Sequence, residues 1–142
     1  MADKDPYRLY SFKLEINGIT EGHFTECSGL DIKIETITYR EAGSKSGLRH
    51  IPGPVDYGSI TLKYGLTTSR DLWDWMMKAA QGDIQRRNVS IVMLDSAGTS
   101  EVMRWNLSDA WPCEWHGAPL SALEKGIAIE SLVITYDEIT RP

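Results

Sequence analysis

From residue 9 to residue 16 apolar positions alternate with polar ones. Phe12, Leu14 and Ile16 fall on one face and Ser11, Lys13 and Glu15 on the other, which is the period of a half-buried strand. Asn17-Gly18 follows, a dipeptide that tolerates positive φ at both central positions of a tight hairpin turn. Leu30, Ile32 and Ile34 then alternate with Asp31, Lys33 and Glu35, and the phase slips by one residue before Ile37 and Tyr39. That slip predicts a bulge or a change of buried face. Ile60, Leu62 and Tyr64 alternate with Thr61 and Lys63 in another short strand. Residues 89–94 and 101–107 flank Asp95-Ser96-Ala97-Gly98-Thr99, a glycine-containing hairpin connection. The last strand is expected over residues 127–136, with Ile129, Leu132, Ile134 and Tyr136 supplying its apolar contacts.

One helix is predicted over about residues 69–81. Leu72, Trp75, Met76 and Ala79 recur at the spacing of a single helical face. Thr68 and Asp71 have the spacing of a capping box, and Gly82 is placed to end the helix in a left-handed conformation. Trp73 points away from the apolar stripe. A helix apolar on two sides suggests burial against its own sheet and against another subunit. The expected fold class is mainly β, antiparallel sheet with one helix laid against it.

Residues 42–58 break the pattern. They contain Gly43, Gly47, Gly53, Gly58, Pro52 and Pro54 and show no periodicity. An irregular segment of that length inside a compact domain usually binds something, and Leu48, Ile51 and Val55 argue against pure disorder. The reading is a long inter-strand arm that orders against a partner.

At 142 residues the chain is about one domain, taken as 1–142, with no internal repeat or composition shift. Fifteen basic against twenty acidic residues give a net charge of -5, without the clustered Lys and Arg that specific nucleic-acid binding requires. The charged, proline-containing N-terminus lacks the apolar stretch of a secretory signal, and no apolar run is long enough to span a bilayer. Synthesis in a cytoplasm, without membrane insertion of the free subunit, is therefore expected. Two cysteines, Cys27 and Cys113, read as reduced packing thiols.

Catalytic and metal patterns are weak. No G-x-S-x-G motif accompanies the three histidines, and Ser28 reads as a turn residue. Gly43-Ser44-Lys45-Ser46-Gly47 lacks the order of a phosphate-binding loop. His23-x₃-Cys27 with Cys113-x₂-His116 offers two His and two Cys for a tetrahedral zinc. On an extended strand, however, H-x₃-C separates its ligands by about 13 Å. No catalytic residue, cofactor or metal site is assigned, and a small enzyme or ligand-binding module would need a polar cluster that the sequence does not supply.

Several segments, in order, carry a resemblance: Phe24-Thr25-Glu26-Cys27-Ser28-Gly29-Leu30, Tyr39-Arg40-Glu41-Ala42-Gly43, Ile51-Pro52-Gly53, the run 60–67, Leu72-Trp73-Asp74-Trp75, Arg104-Trp105, Ala110-Trp111-Pro112 and Ile129-Glu130-Ser131-Leu132. Together they resemble the inner-tube (tail-tube) proteins of contractile-tailed phages and phage-tail-like contractile injection systems. Ala42 departs from the second glycine of that pattern. The resemblance implies a β-sandwich or barrel protomer of two antiparallel sheets. Such protomers assemble into six-membered rings stacked as a hollow tube whose lumen conducts DNA or protein cargo. It implies a structural protein, not an enzyme, without cofactors. Its partners would be other copies of itself, a sheath protein, baseplate and tube-terminating proteins, and a tape-measure protein or cargo in the lumen.

By the same analogy Arg40, Glu41, Leu48, Ile51 and Val55 are expected at contacts between rings or protomers, and Trp73 at a lateral or sheath-side contact. Lys33, Glu35, Thr61 and Lys63, which alternate away from apolar neighbours, are candidates for the lumen face. The alternative within this resemblance is a ring-forming, secreted or cargo-chaperone tube protein of a type VI secretion-like system.

Overall fold

Among the described residues the chain folds as nine strands and one helix, in the order β1 (Phe12–Ile16), β2 (Phe24–Ser28), β3 (Ile32–Arg40), β4 (Leu48–Tyr57), β5 (Ser59–Gly65), α1 (Asp71–Ala80), β6 (Arg87–Leu94), β7 (Glu101–His116), β8 (Ile129–Thr135) and β9 (Glu138–Thr140). The structure, a computed structural model, describes residues 12–17, 24–40, 47–65, 70–95, 97–121, 126 and 128–142.

Seven strands form one antiparallel sheet in the order β1-β6-β7-β8-β5-β2, with β9 also paired to β7. Strand β7 joins its two halves. Its first part, to Ala110, pairs with β6, and its last part, from Trp111 to His116, pairs with β8. The change of partner falls at an irregularity. Leu107 and Ala110 sit opposite Val89 and Arg87, so β7 carries one extra residue there. Asp109 takes a positive φ of 53°. A bulge of this kind bends a strand and increases its twist.

The bent sheet closes on itself as a sandwich. Leu14, Ile16, Val89, Ile91 and Leu107 from one half meet Ile60, Leu62, Tyr64, Leu132 and Ile134 from the other in one buried cluster. The arrangement is an open sandwich, not a closed barrel. Among the described residues β1 and β2 stand at the two ends of the sheet.

Helix α1 lays Leu72 and Trp75 into the same core. Trp75 is 2% exposed, its indole N–H donates to the Gln85 carbonyl at 2.7 Å, and the Arg87 guanidinium lies 5.8 Å from its ring centroid. The helix begins later than the proposed capping box requires. Asp71 is its first residue, and Arg70 occupies the cap with no side-chain hydrogen bond; Thr68 lies outside the described residues. Asp71 and Asp74 instead oppose the positive end of the helix dipole. The C-terminal expectation is met. Gly82 has φ 92°, its N–H reaches the Ala79 carbonyl at 3.1 Å, and the Asp83 N–H reaches the Lys78 carbonyl at 2.8 Å, which is the Schellman arrangement.

Two other expectations are corrected. Asn17 does not begin a tight hairpin to the next strand, because β1 pairs with β6 and β2 pairs with β5; Gly18 lies outside the described residues. The segment 42–58 is not an irregular arm. Its greater part is β4, paired antiparallel with β3 in a separate two-stranded ribbon, while residues 42–46 lie outside the description. Glycine and proline suppressed the strand signal, but proline is tolerated on a strand with a free edge or at a bulge.

The bend at Asp109 yields a test. Aspartate tolerates the left-handed region better than most residues, whereas a β-branched side chain there is an outlier. Asp109→Gly is expected to leave the denaturation midpoint nearly unchanged. Asp109→Val should lose about 1–2 kcal/mol, measured by chemical denaturation.

Candidate assembly surface

The ribbon of β3 and β4 is the feature that the sandwich does not explain. Ile32, Ile34, Ile37 and Tyr39 on β3, with Leu48, Ile51 and Val55 on β4, are all between 42% and 56% exposed. Exposed apolar surface concentrated on one element marks an interaction site more reliably than scattered residues do.

The root of the ribbon is fixed to the sandwich. The Gly58 N–H donates to the Asp31 carbonyl at 3.1 Å, and the Tyr57 ring packs against Tyr136 with centroids 6.3 Å apart. Within the ribbon, Ile34 pairs with Val55 but Thr36 pairs with Pro52. Gly53 and Pro54 therefore stand opposite the single residue Glu35. This is the irregularity foreshadowed by the phase slip before Ile37. Gly53 allows the strands to approach there, since a Cβ at that position would lie 3.1 Å from the Glu35 backbone oxygen and 3.3 Å from Ile37 Cδ1.

Of the residues expected at contacts between copies, Arg40, Leu48, Ile51 and Val55 lie together on this ribbon and are exposed; Glu41 lies outside the described residues. Sequence reading missed Ile32, Ile34, Ile37 and Tyr39 as surface residues, because alternation reveals which side chains share a face but not whether that face is covered. Trp73 is 38% exposed and is partly engaged by its own subunit, edge-on to Trp115 with centroids 5.0 Å apart. Trp115 in turn donates to Glu130 at 2.9 Å, and the Tyr64 hydroxyl donates to the same carboxylate oxygen at 3.1 Å.

The four candidates for a lumen face are not brought together. Lys33 and Glu35 lie on the ribbon. Thr61 and Lys63 lie on β5, where Lys63 pairs with Glu26 of β2 at 3.1 Å. The sheet also separates the cysteines. β7 and β2 are three strand spacings apart, about 14 Å, so Cys27 and Cys113 do not meet at one centre, and His23 lies outside the described residues. Among the described residues no group of three or more His, Cys, Asp or Glu could hold a metal ion, and no helix is long and apolar enough to cross a membrane.

Two grooves run along the open side of the sandwich. One, of about 480 Å³, is lined by Phe12, Cys27, Leu30, Ile91, Met93 and Trp105 among others. The second, of about 370 Å³, shares Leu30 and Trp105 and reaches Ile32 at the ribbon root. Burial, followed by the neighbouring Glu26 charge, pushes the Cys27 thiol up to about 12.

An open β-sandwich with one helix and an appended apolar ribbon defines a structural class whose uncovered surface is suited to protein contacts. Residues 8–140 match the family model described as T4-like virus tail tube protein gp19, and the chain belongs to that family. Among solved structures, it is similar to a chain of the tube-terminating cap of the anti-feeding prophage, with 26% identity and a TM-score of 0.88 over 100% of this chain and 94% of that one. A chain from the sheath-tube complex of the extracellular contractile injection system PVC, in its extended state, shows 27% identity and a TM-score of 0.84, over 96% and 91%. Hcp1 from Flavobacterium johnsoniae shares the fold at 14% identity and a TM-score of 0.58, over 93% and 94%. A search of curated proteins found no match.

The thiol in the groove can be checked directly. A raised thiol pKa means that the unfolded chain loses its proton first, so the Cys27 contribution is fully present below about pH 9 and is lost as pH rises towards 12. At pH 8 Cys27 is expected to react with a thiol reagent more than tenfold slower than a free cysteine, and to label at the ordinary rate after denaturation. Fast labelling in the native protein would show that the groove does not bury it.

Proposed function

We propose that this chain is a structural subunit of the inner tube of a contractile tail or injection system. It assembles into six-membered rings, the rings stack, and the lumen conducts DNA or protein cargo. The observation that carries this reading is the ribbon of half-exposed apolar side chains on a subunit whose family membership spans residues 8–140.

The physical argument runs from surface to symmetry. Long apolar ribbons and open sheet edges are liabilities on an isolated chain and are normally covered or paired. A contact that repeats head to tail closes into a ring when its rotation divides the circle, and a second contact along the axis extends rings into a filament. Arg40, Leu48, Ile51 and Val55 belong to these contacts, and so does Glu41. Trp73 keeps enough exposed area to meet a sheath or lateral neighbour. Lys33, Glu35, Thr61 and Lys63 remain candidates for the lumen, where a net charge of -5 suits the passage of DNA without adhesion. Sheath, baseplate and tube-terminating proteins are the external partners, with a tape-measure protein or cargo inside. The role is mechanical and not enzymatic. The type VI-like alternative has less support, because the likeness to Hcp1 is one of fold alone.

Negative-stain electron microscopy of the concentrated protein is expected to show six-membered rings or hollow tubes. Deleting residues 47–54 removes the outer part of β4 and should abolish them, while circular dichroism and thermal unfolding still report a folded sandwich. Normal tubes from the deletion variant would sink the role of the ribbon. A subunit that stays monomeric at every concentration, even with its baseplate as template, would sink the reading as a whole.

A further inference from the structure

The apolar side of the ribbon changes face along its length. Directly paired residues in an antiparallel ladder share a face. Near the root, Ile32 pairs with Tyr57 and Ile34 with Val55, so these four side chains lie on one face, with Lys33, Glu35 and Asp56 on the opposite one. Beyond the bulge at Gly53 and Pro54, Thr36 pairs with Pro52 and Thr38 with His50 on the face that was apolar. Ile37 and Ile51, which pair with each other, and Tyr39 occupy the face that was charged. Leu48, opposite Arg40 at the far end, is the one large apolar residue of the outer half on its polar side.

Arg49, opposite Tyr39, joins the face of Ile37 and Ile51, so the apolar face of the outer half carries one basic residue, and the main apolar clusters of the two halves look in opposite directions. A single surface cannot cover both faces of a two-stranded ribbon at different heights. From this we infer that the ribbon serves two different neighbouring copies of the chain. The root half, continuous with the sandwich groove, receives the neighbour that closes the ring. The outer half receives a copy from the next ring. The inference rests on the tube reading above and divides its contacts.

The occupant of the root follows from continuity and area. Ile32 also lines the groove formed with Leu30, Asp31, Trp105 and Ile139, and Tyr57 already leans on Tyr136 of the sandwich. A stable protein contact takes about 800 Å² from each partner, more than four partly exposed side chains present. A copy seated on the root face must thus extend over the groove, which makes the root the larger and ring-closing contact. The outer half has no such continuation. Ile37 and Tyr39 lie five and seven residues beyond Ile32 on β3, about 17–23 Å from the root. The charge of the outer half also differs. Arg40, Arg49 and His50 lie in the outer half, whereas Asp31, Glu35 and Asp56 outnumber Lys33 at the root. A basic end reaching an acidic region of another copy is a head-to-tail match, the kind of contact that extends a stack.

The test separates ring closure from stacking. Ile34→Asp and Val55→Asp alter the root; Ile37→Asp and Ile51→Asp alter the outer half. Ile34→Thr and Ile37→Thr serve as milder versions should a carboxylate impair folding, with circular dichroism as the check. Wild-type protein is followed in parallel by sedimentation velocity and electron microscopy. The root variants are expected to lower the ring fraction at least about tenfold, the change that about 1.4 kcal/mol produces, and to leave subunits. The outer variants are expected to keep single rings and lose tubes. If wild type forms rings and tubes but both sets stop at the same stage, exchange stages, or have no effect, the division of labour is overturned while the tube reading survives. Wild-type subunits that never associate overturn both.

Discussion

Strand β7 has to satisfy β6, β8 and the short β9 along one run of sixteen residues, and the geometry of the subunit follows from how it does so. Backbone N–H and C=O groups in the interior must be paired, so the strand cannot leave one ladder before it enters the next. The extra residue around Asp109 turns it within a few ångströms from β6 to β8. That turn folds the sheet over its own apolar side chains. Residues as far apart in sequence as Leu14 and Ile134 thereby enter one core. Helix α1 then covers part of that core with Leu72 and Trp75.

A core completed in this way leaves the β3–β4 ribbon outside it. None of the seven exposed apolar residues of the ribbon belongs to the buried cluster, and the ribbon touches the sandwich chiefly at its root through Asp31, Gly58 and the Tyr57–Tyr136 pair. Folding and surface display are thus separated in the chain. The sandwich gains stability from burial of about 25 cal/mol for each Å² of apolar surface removed from water. The apolar area of the ribbon contributes little of that in the isolated subunit. It remains available for contacts made afterwards.

Much of this was legible in the sequence, and the parts that were not have physical reasons. Period-two alternation located β1, β5 and β8, and the glycine-containing connection located the β6–β7 hairpin. The phase slip before Ile37 anticipated the bulge at Gly53 and Pro54. Strand β7 was read only as far as Leu107, because the bulge at Asp109 and the buried Pro112 break the alternation beyond it. β4 was hidden by Pro52, Gly53 and Pro54, residues that a free-edged strand tolerates but that depress every local strand signal. Pairing was the least legible. Asn17-Gly18 is sound hairpin chemistry, yet the partner of β1 is β6, chosen by complementary apolar faces far away in sequence. Leu48, Ile51 and Val55 on β4, with Arg40 at the end of β3, were singled out through the resemblance, whereas the apolar residues of β3 looked like core, since a hydrophobic face carries no record of what covers it.

The bulge in the ribbon links these levels. A two-stranded ribbon with unbroken register keeps one apolar face from root to tip, and such a flat apolar face invites indiscriminate pairing with other strands. One extra residue in β4 divides that face into two shorter ones that look in opposite directions, each backed by polar or charged side chains. Each half then presents a shorter apolar patch than an unbroken ribbon would. Gly53 favours this arrangement, because a Cβ there would crowd Glu35 and Ile37 at 3.1–3.3 Å. The same residue that obscured the strand in the sequence is the one that fixes where its two faces exchange.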